Sequence, residues 1–438
     1  MATPTPTPRS RPSSKLIPTN TTTQVRVVVR VRPFLPSEVE SECKGSAPCV
    51  SVVDGEADHP LSGQEITVRI KDQLSSRKEC YKLDSFFGQG DDLAKIFHRE
   101  VSSLIPGTFQ GFNATIFTYG ATGSGKTYTM QGTDEQPGLI PLAMTKILSL
   151  CENSGSLIEV AYYEIYLDRC YDLLEPKAQE ITVMEDKDGQ VQMKGLSRVP
   201  LRSMSEFFEV FASGVQRRKT AHTGLNDVSS RSHGVLSIFV SDGAATGKLN
   251  LIDLAGNEDN RRTGNEGVRL LESSKINQSL FALSNVIYAL NNNWPRIPYR
   301  ESKLTRILQD SLGGTSRALM IACLNPVSYQ EAVHTVSLAA RSRHITNYVG
   351  VDAKQGTPKV RVDMEAKLRE WLESRGKTKS IQRMDDLHSP FSSKTPSSTS
   401  IKRPDSVRSS AKAMIKDYGI TKGRRLFDSK VPAVPPQQ

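Results

Sequence analysis

Apolar positions along the chain fall into two periods. Residues 25–32, VRVVVRVR, form a strongly β-branched run that predicts a strand. Residues 114–119, ATIFTY, and 248–252, KLNLI, are two further apolar runs of strand character. Helical spacing takes over in residues 270–290, a long pattern with Asn277 near its middle. It returns in residues 302–312, where Leu304, Ile307, Leu308 and Leu312 share one side and Lys303 and Arg306 the other. Gly313 and Gly314 are expected to end that helix. Strand-like and helix-like segments alternate to about residue 347. This predicts an α/β fold with a central, mostly parallel β-sheet flanked by helices on both faces.

The ends read differently. Residues 1–23 are rich in Pro, Thr and Ser and predict a disordered extension ahead of a globular domain at 24–347. Residues 348–380 read as a neck with one short helix over 363–374. Its stripe of Met364, Leu368, Trp371 and Leu372 suits packing against the domain better than a dimer seam. No sustained apolar heptads follow, which predicts no stalk and a monomeric or weakly dimeric chain. Residues 381–438 form a basic, Ser/Thr/Pro-rich tail expected to be largely disordered, with short helical stretches around Gly419 to Gly423. Thr357, Ser389 and Thr395 each precede a proline and are candidate proline-directed phosphorylation sites.

The chemistry starts where the strand at 114–119 ends. Residues 120–127 read GATGSGKT: Gly120, Ala121, Thr122, Gly123, Ser124, Gly125, Lys126 and Thr127. Glycines at this spacing free backbone N–H groups to curl around a phosphate chain. Lys126 is placed to bridge the β- and γ-phosphates of a nucleotide, and Thr127 to put its hydroxyl on Mg²⁺. Two more segments follow, NDVSSRSH at 226–233 and DLAGNE at 253–258, the second directly after an apolar strand. Alone, the first reads as a solvated polar loop and the second as a strand-to-turn junction. In this order they supply what a γ-phosphate sensor requires: Asp253 as a metal-associated carboxylate, Gly256 as a mobile N–H, and Ser229 and Ser230 as hydroxyls. Arg231 and Glu258 carry opposite charges on the two segments, and an ion pair between them would latch the site. A guanine-reading Asn-Lys-x-Asp motif is not found, which argues against a signalling GTPase.

Charge adds a second partner class. The chain of 438 residues has 57 Lys+Arg against 47 Asp+Glu, a formal net charge of +10. Residues 351–438 hold 19 basic and 10 acidic groups, so +9 of this lies in the C-terminal fifth. Basic ends suit a polyanionic partner, either DNA or chromatin or an acidic protein surface; the bland alternative is a solvated tail. Six scattered cysteines without metal spacing read as reduced thiols of a reducing compartment. The first 15 residues lack the apolar core of a secretory signal, and no run approaches the ~18 apolar residues of a membrane span.

These motifs together resemble the kinesin motor domain. The four nucleotide motifs of that family are matched by Arg30-Val-Arg-Pro33, the phosphate loop, NDVSSRSH and DLAGNE. Residues 163–166 (YEIY), 171–174 (YDLL), 138–141 (GLIP), 298–306 (PYRESKLTR) and 310–314 (DSLGG) match as well. The resemblance covers roughly residues 24–347, and GNEDNRRTG at 256–264 is most similar to the Kid-type chromokinesins of the kinesin-ten group.

The resemblance implies a microtubule-stimulated ATPase using ATP and Mg²⁺. Arg30, Arg32 and Pro33 match the adenine-side motif, and Tyr128 the base-stacking position. Thr127, Ser230 and Asp253 take the metal side, Ser229 closes on the γ-phosphate, Gly256 meets it, and Arg231 and Glu258 match the pair whose closure accompanies hydrolysis. Arg300, Lys303 and Arg306 match positions that meet tubulin, with Arg261, Arg262 and Arg269 as weaker candidates. The implied setting is the cytoplasm and its microtubule arrays, including the spindle, with the nucleus as an option. Three departures stand out: Ala121 within the loop, Asn257 where Ser is usual, and a last helix around 335–342 about three residues short. The departures keep open a second reading, a nucleotide-gated microtubule tether or cross-linker without directed movement.

Overall fold

The computed structural model describes residues 21–41, 47–53, 65–73, 75–175, 180–187, 189–220, 230–243, 245–258 and 268–350. Six strands position the site: β1 (Thr21–Gln24), β2 (Arg26–Val31), β3 (Ala114–Tyr119), β4 (Thr246–Asp253), β5 (Arg317–Leu324) and β6 (Thr346–Val349). Five helices matter equally: α1 (Lys126–Gln131), α2 (Met204–Thr220), α3 (Val268–Asn291), α4 (Lys303–Ile307) and α5 (Tyr329–Ser342).

The strands are built from the runs that predicted them. Side chains alternate across the sheet, so Val27, Val29 and Val31 enter one core and Val28 the opposite one. Ile116 and Phe117 divide in the same way on β3. Helices α3, α4 and α5 cover the first face with Leu283, Ile287, Leu304, Leu308 and Val336. Helix α2 covers the second with Phe207 and Phe211. The result is a three-layer α/β/α arrangement around an 11-stranded sheet.

The sheet is mixed. Parallel pairing is confined to five neighbours, β4, β3, β5, β2 and Ser85–Phe87. Beyond β4 the order continues through His233–Ser241, Leu157–Tyr166, Arg169–Asp172, Glu180–Glu185 and Val191–Lys194, all antiparallel. The reason is local: His233–Ser241 and β4 are separated by only residues 242–245, too few for a parallel crossover.

Two expected boundaries shift. β1 begins at Thr21 and pairs antiparallel with β6, Thr21 opposite Val349 and Gln24 opposite Thr346. This ladder holds the domain from 21 to 349, so the expected limits at 23/24 and 347/348 fall inside it. The strand expected over 25–32 is shortened to Arg26–Val31, and the Val25 amide before it turns to the Ile345 carbonyl, 3.0 Å away. The amphipathic helix expected over 302–312 is a five-residue helix, α4, with a Ser302–Thr305 capping box. It stops at Leu308, where ψ is −1° and the amides of Ser311 and Leu312 both turn to the Leu308 carbonyl. The expected apolar side is nonetheless buried. Helix α5 runs for 14 residues. Residues 351–438, with the neck helix, the basic tail and the candidate phosphorylation sites, lie outside the described residues.

Candidate functional site

The phosphate loop leaves the carboxyl end of β3 between β4 and β5, where ligands bind in parallel sheets. Gly125 opens α1 at φ +92°, and a side chain there would press on Arg30 Nη1 at 2.9 Å. Lys126 is buried, and its Nζ donates to the Ala121 carbonyl at 2.9 Å. Burial lowers its pKa from the ordinary lysine value.

Asp253, at the end of β4, is the electrostatic centre. Thr127 Oγ1 donates to its Oδ2 at 2.8 Å, and Arg218 Nη1 donates to the same oxygen at 2.9 Å. Arg218 and Asp253 have side chains only 3% and 4% exposed, so this ion pair is dry. Burial works against the Arg218 charge, but the nearby Asp253 carboxylate outweighs it and raises the pKa. Arg218 also holds Ser232, through Nε to Oγ at 3.2 Å and Nη2 to the carbonyl at 2.7 Å. The other Asp253 oxygen, Oδ1, is buried without a protein partner. An orphaned carboxylate oxygen beside a Thr hydroxyl, with Ser230 on the pocket wall, is a hard-oxygen donor set that fits Mg²⁺ held partly by a nucleotide's phosphates.

The two sensor segments are joined. Gly256 N donates to the Ser230 carbonyl at 3.0 Å, and Asn257 N to the Gly120 carbonyl at 3.3 Å. His233 Nδ1 accepts from Ala255 N at 3.0 Å, which leaves its proton on Nε2, facing Ser279 Oγ at 2.7 Å on α3. Burial, then the charges of Arg218 and Lys126, push this imidazole down to about 3. Glu258 caps the phosphate loop: Thr122 N donates to Oε2 at 3.0 Å and Thr122 Oγ1 to Oε1 at 2.7 Å. A Cβ on Gly256 would overlap the side-chain ends of Glu258 and Thr122 as they stand, so a larger residue would displace that cap. Among the described residues no ion pair joins Arg231 to Glu258. The Glu258 carbonyl accepts from Asn277 Nδ2 at 3.2 Å, which ties the sensor to α3.

A cavity of about 540 Å³ opens beside the loop. Arg30, Arg32, Pro33 and Tyr128 line one side, and Thr122, Gly123, Gly125, Lys126, Thr127 and Ser230 the other. The Arg30 guanidinium carbon lies 5.2 Å from the Tyr128 ring centroid. Arg32 Nε donates to the Gly123 carbonyl at 2.6 Å, and its other nitrogens grip Glu38, whose pKa this hydrogen bond lowers.

The structure thus brings together most of the residues that the sequence singled out. Ser229, Arg261 and Arg262 lie outside the described residues, as does the Arg269 side chain. Arg300 is exposed, with Nη2 donating to Glu185 at 2.6 Å, and Arg306 Nη1 donates to the Val183 carbonyl at 3.3 Å. These two and Lys303 share a region well away from the cavity, on α4 and the turn before it. Arg218 and His233 were given no role by the sequence. Arg218 is one of three consecutive basic residues ending α2, and nothing in the pattern marks it as the inward one.

Comparisons with known proteins agree with this geometry. The family model of the kinesin motor domain matches residues 30–345. The kinesin-like protein KIN-10C of Oryza sativa subsp. japonica is 65% identical over 93% of this chain and 69% of its own length. KIN-10B of Arabidopsis thaliana is 66% identical over 86% of this chain and 60% of its own. The chain spans about half of KIF22 from Xenopus tropicalis, which is 43% identical over 342 residues. The solved structure of a fast kinesin superposes with a TM-score of 0.66 at 34% identity, covering 78% of this chain and 96% of that one.

Proposed function

This chain belongs to the kinesin motor-domain family, with kinesin-10 proteins among its relatives, and we propose that it is a microtubule-stimulated ATPase of spindle and chromosome-associated microtubule arrays. The observation that carries the reading is the continuity from Asp253 through Glu258 to Asn277: the carboxylate that suits Mg²⁺ and the helix behind the filament side belong to one hydrogen-bonded segment.

Each residue has a defined task. Arg30 and Tyr128 form the base-side wall. Lys126 exchanges the Ala121 carbonyl for phosphate oxygens, a favourable trade for a buried ammonium. Thr127 and Asp253 would hold the metal, which when bound would neutralise phosphate charge. Gly256 N turns from the Ser230 carbonyl toward the γ-phosphate. Glu258 leaves Thr122 for Arg231, orienting the attacking water and drawing on Asn277 as it moves. Filament affinity then follows nucleotide state, because α3 responds to both. The basic residues of 351–438 supply a second, polyanionic contact, to chromatin or a neighbouring microtubule.

One observation favours the second reading, a nucleotide-gated tether: Asn257 hydrogen-bonds α5 directly and restrains the helix that leads to the end of the domain. Imaging single fluorescent molecules on microtubules separates the two. A motor moves in one direction with ATP; a tether dwells or diffuses whatever the nucleotide.

A further inference from the structure

We propose that Asn257 is a positioning residue that transmits the state of the phosphate sensor to the last helix and hence to the exit of the chain from the domain. The proposal rests on the nucleotide-binding reading above. Two elements meet at this one buried residue, the phosphate loop through its backbone and α5 through its side chain. Its backbone N donates to the carbonyl of Gly120, the first loop residue. Its Nδ2 donates to Thr335 Oγ1 at 3.2 Å and lies 3.5 Å from His334 Nδ1, both on α5.

Thr335 is itself buried, so its hydroxyl has little access to water as a substitute partner. Immediately beyond α5, Arg343 holds Asp84 at 2.8 Å and Glu65 at 2.6 Å, and β6 then closes the ladder with β1. Gly256 is the sensor glycine, and Asn257 is its neighbour. Turning the Gly256 amide away from Ser230 therefore rotates the adjoining peptide, and the carboxamide carries that rotation to α5. A serine here is one heavy atom shorter and keeps the backbone bond to Gly120, but its hydroxyl does not reach Thr335 as the carboxamide does.

The test uses the full chain, with mant-ATP for binding and hydrogen exchange of residues 329–349 in ADP and in a non-hydrolysable ATP analogue. In the unaltered protein the two states should differ in protection of α5 and β6. Thr335→Val and Asn257→Ser should reduce that difference about fivefold, the net worth of one neutral hydrogen bond, with mant-ATP affinity unchanged in Thr335→Val. Thr335→Ser keeps the hydroxyl and should restore the difference. The double variant Asn257→Ser/Thr335→Val should be no worse than either single one. An undiminished difference in Thr335→Val, or no difference between states in the unaltered protein, would overturn the coupling. Absence of mant-ATP binding in the unaltered protein would instead remove the nucleotide reading itself, which keeps the two failures apart.

Discussion

Asp253 gives its two oxygens different work. Oδ2 takes two donors, Thr127 and Arg218, while Oδ1 has no protein partner. Asp253→Asn should strand a buried guanidinium and cost about 3–5 kcal/mol in chemical denaturation. A loss near that of an exposed pair, about 0–1 kcal/mol, would show that Arg218 does not depend on Asp253. His233 makes a pH statement. The folded protein keeps it neutral down to about 3, whereas an ordinary histidine titrates at 6.5. Between those values the unfolded chain binds a proton that the folded one refuses. The contribution is therefore intact above 6.5 and declines as pH falls through the window. Urea midpoints from pH 7 to pH 4 should fall more steeply for the unaltered protein than for His233→Asn; parallel slopes would exclude the residue as a source. Lys126, Thr127 and Asp253 were legible in the sequence because their residue types and spacing are set by phosphate chemistry. Arg218 was not. Arg217, Arg218 and Lys219 stand in a row, and only the rotation of α2 sends Arg217 to the Leu173 carbonyl and Arg218 to Asp253.

Among the elements, α3 does the connecting. It receives the Glu258 carbonyl at Asn277 and the His233 ring at Ser279, two positions within one turn. Asn277→Ala should remove one of these links. We expect about a fivefold fall in microtubule stimulation at unchanged basal nucleotide affinity, measured as kcat with and without microtubules. Equal stimulation would put the transmission elsewhere. The long pattern over 270–290 was legible as this helix because its spacing is sustained over many turns. The shorter one over 302–312 was not legible in its length. Its apolar residues point inward either as a continuous helix or as α4 followed by tight turns. Tertiary bonds decide between these: the Ser311 hydroxyl goes to Thr115 at 2.8 Å, and the Ser311 carbonyl accepts from Asn347 at 2.8 Å. Neither partner is near in sequence. The β1–β6 ladder was hidden for the same reason, since polar TTTQ gains strand structure only from the far end of the domain.

At the scale of the whole molecule, charge and fold divide the labour. The region 25–350 is close to neutral, while +9 of the formal charge lies in 351–438. Among the described residues no helix is long and apolar enough to cross a membrane, and no cluster of His, Cys, Asp or Glu forms a metal centre. On the proposed reading, Mg²⁺ would instead be held by Thr127 and Asp253 together with a nucleotide's phosphates. On this reading one hydrogen-bonded segment couples the proposed nucleotide site to a filament. The steady-state ATPase rate of the full chain with and without microtubules, beside Lys126→Ala, tests this most directly. Strong stimulation that disappears in the variant is expected. A rate indifferent to microtubules, or stimulation that survives without Lys126, would contradict it.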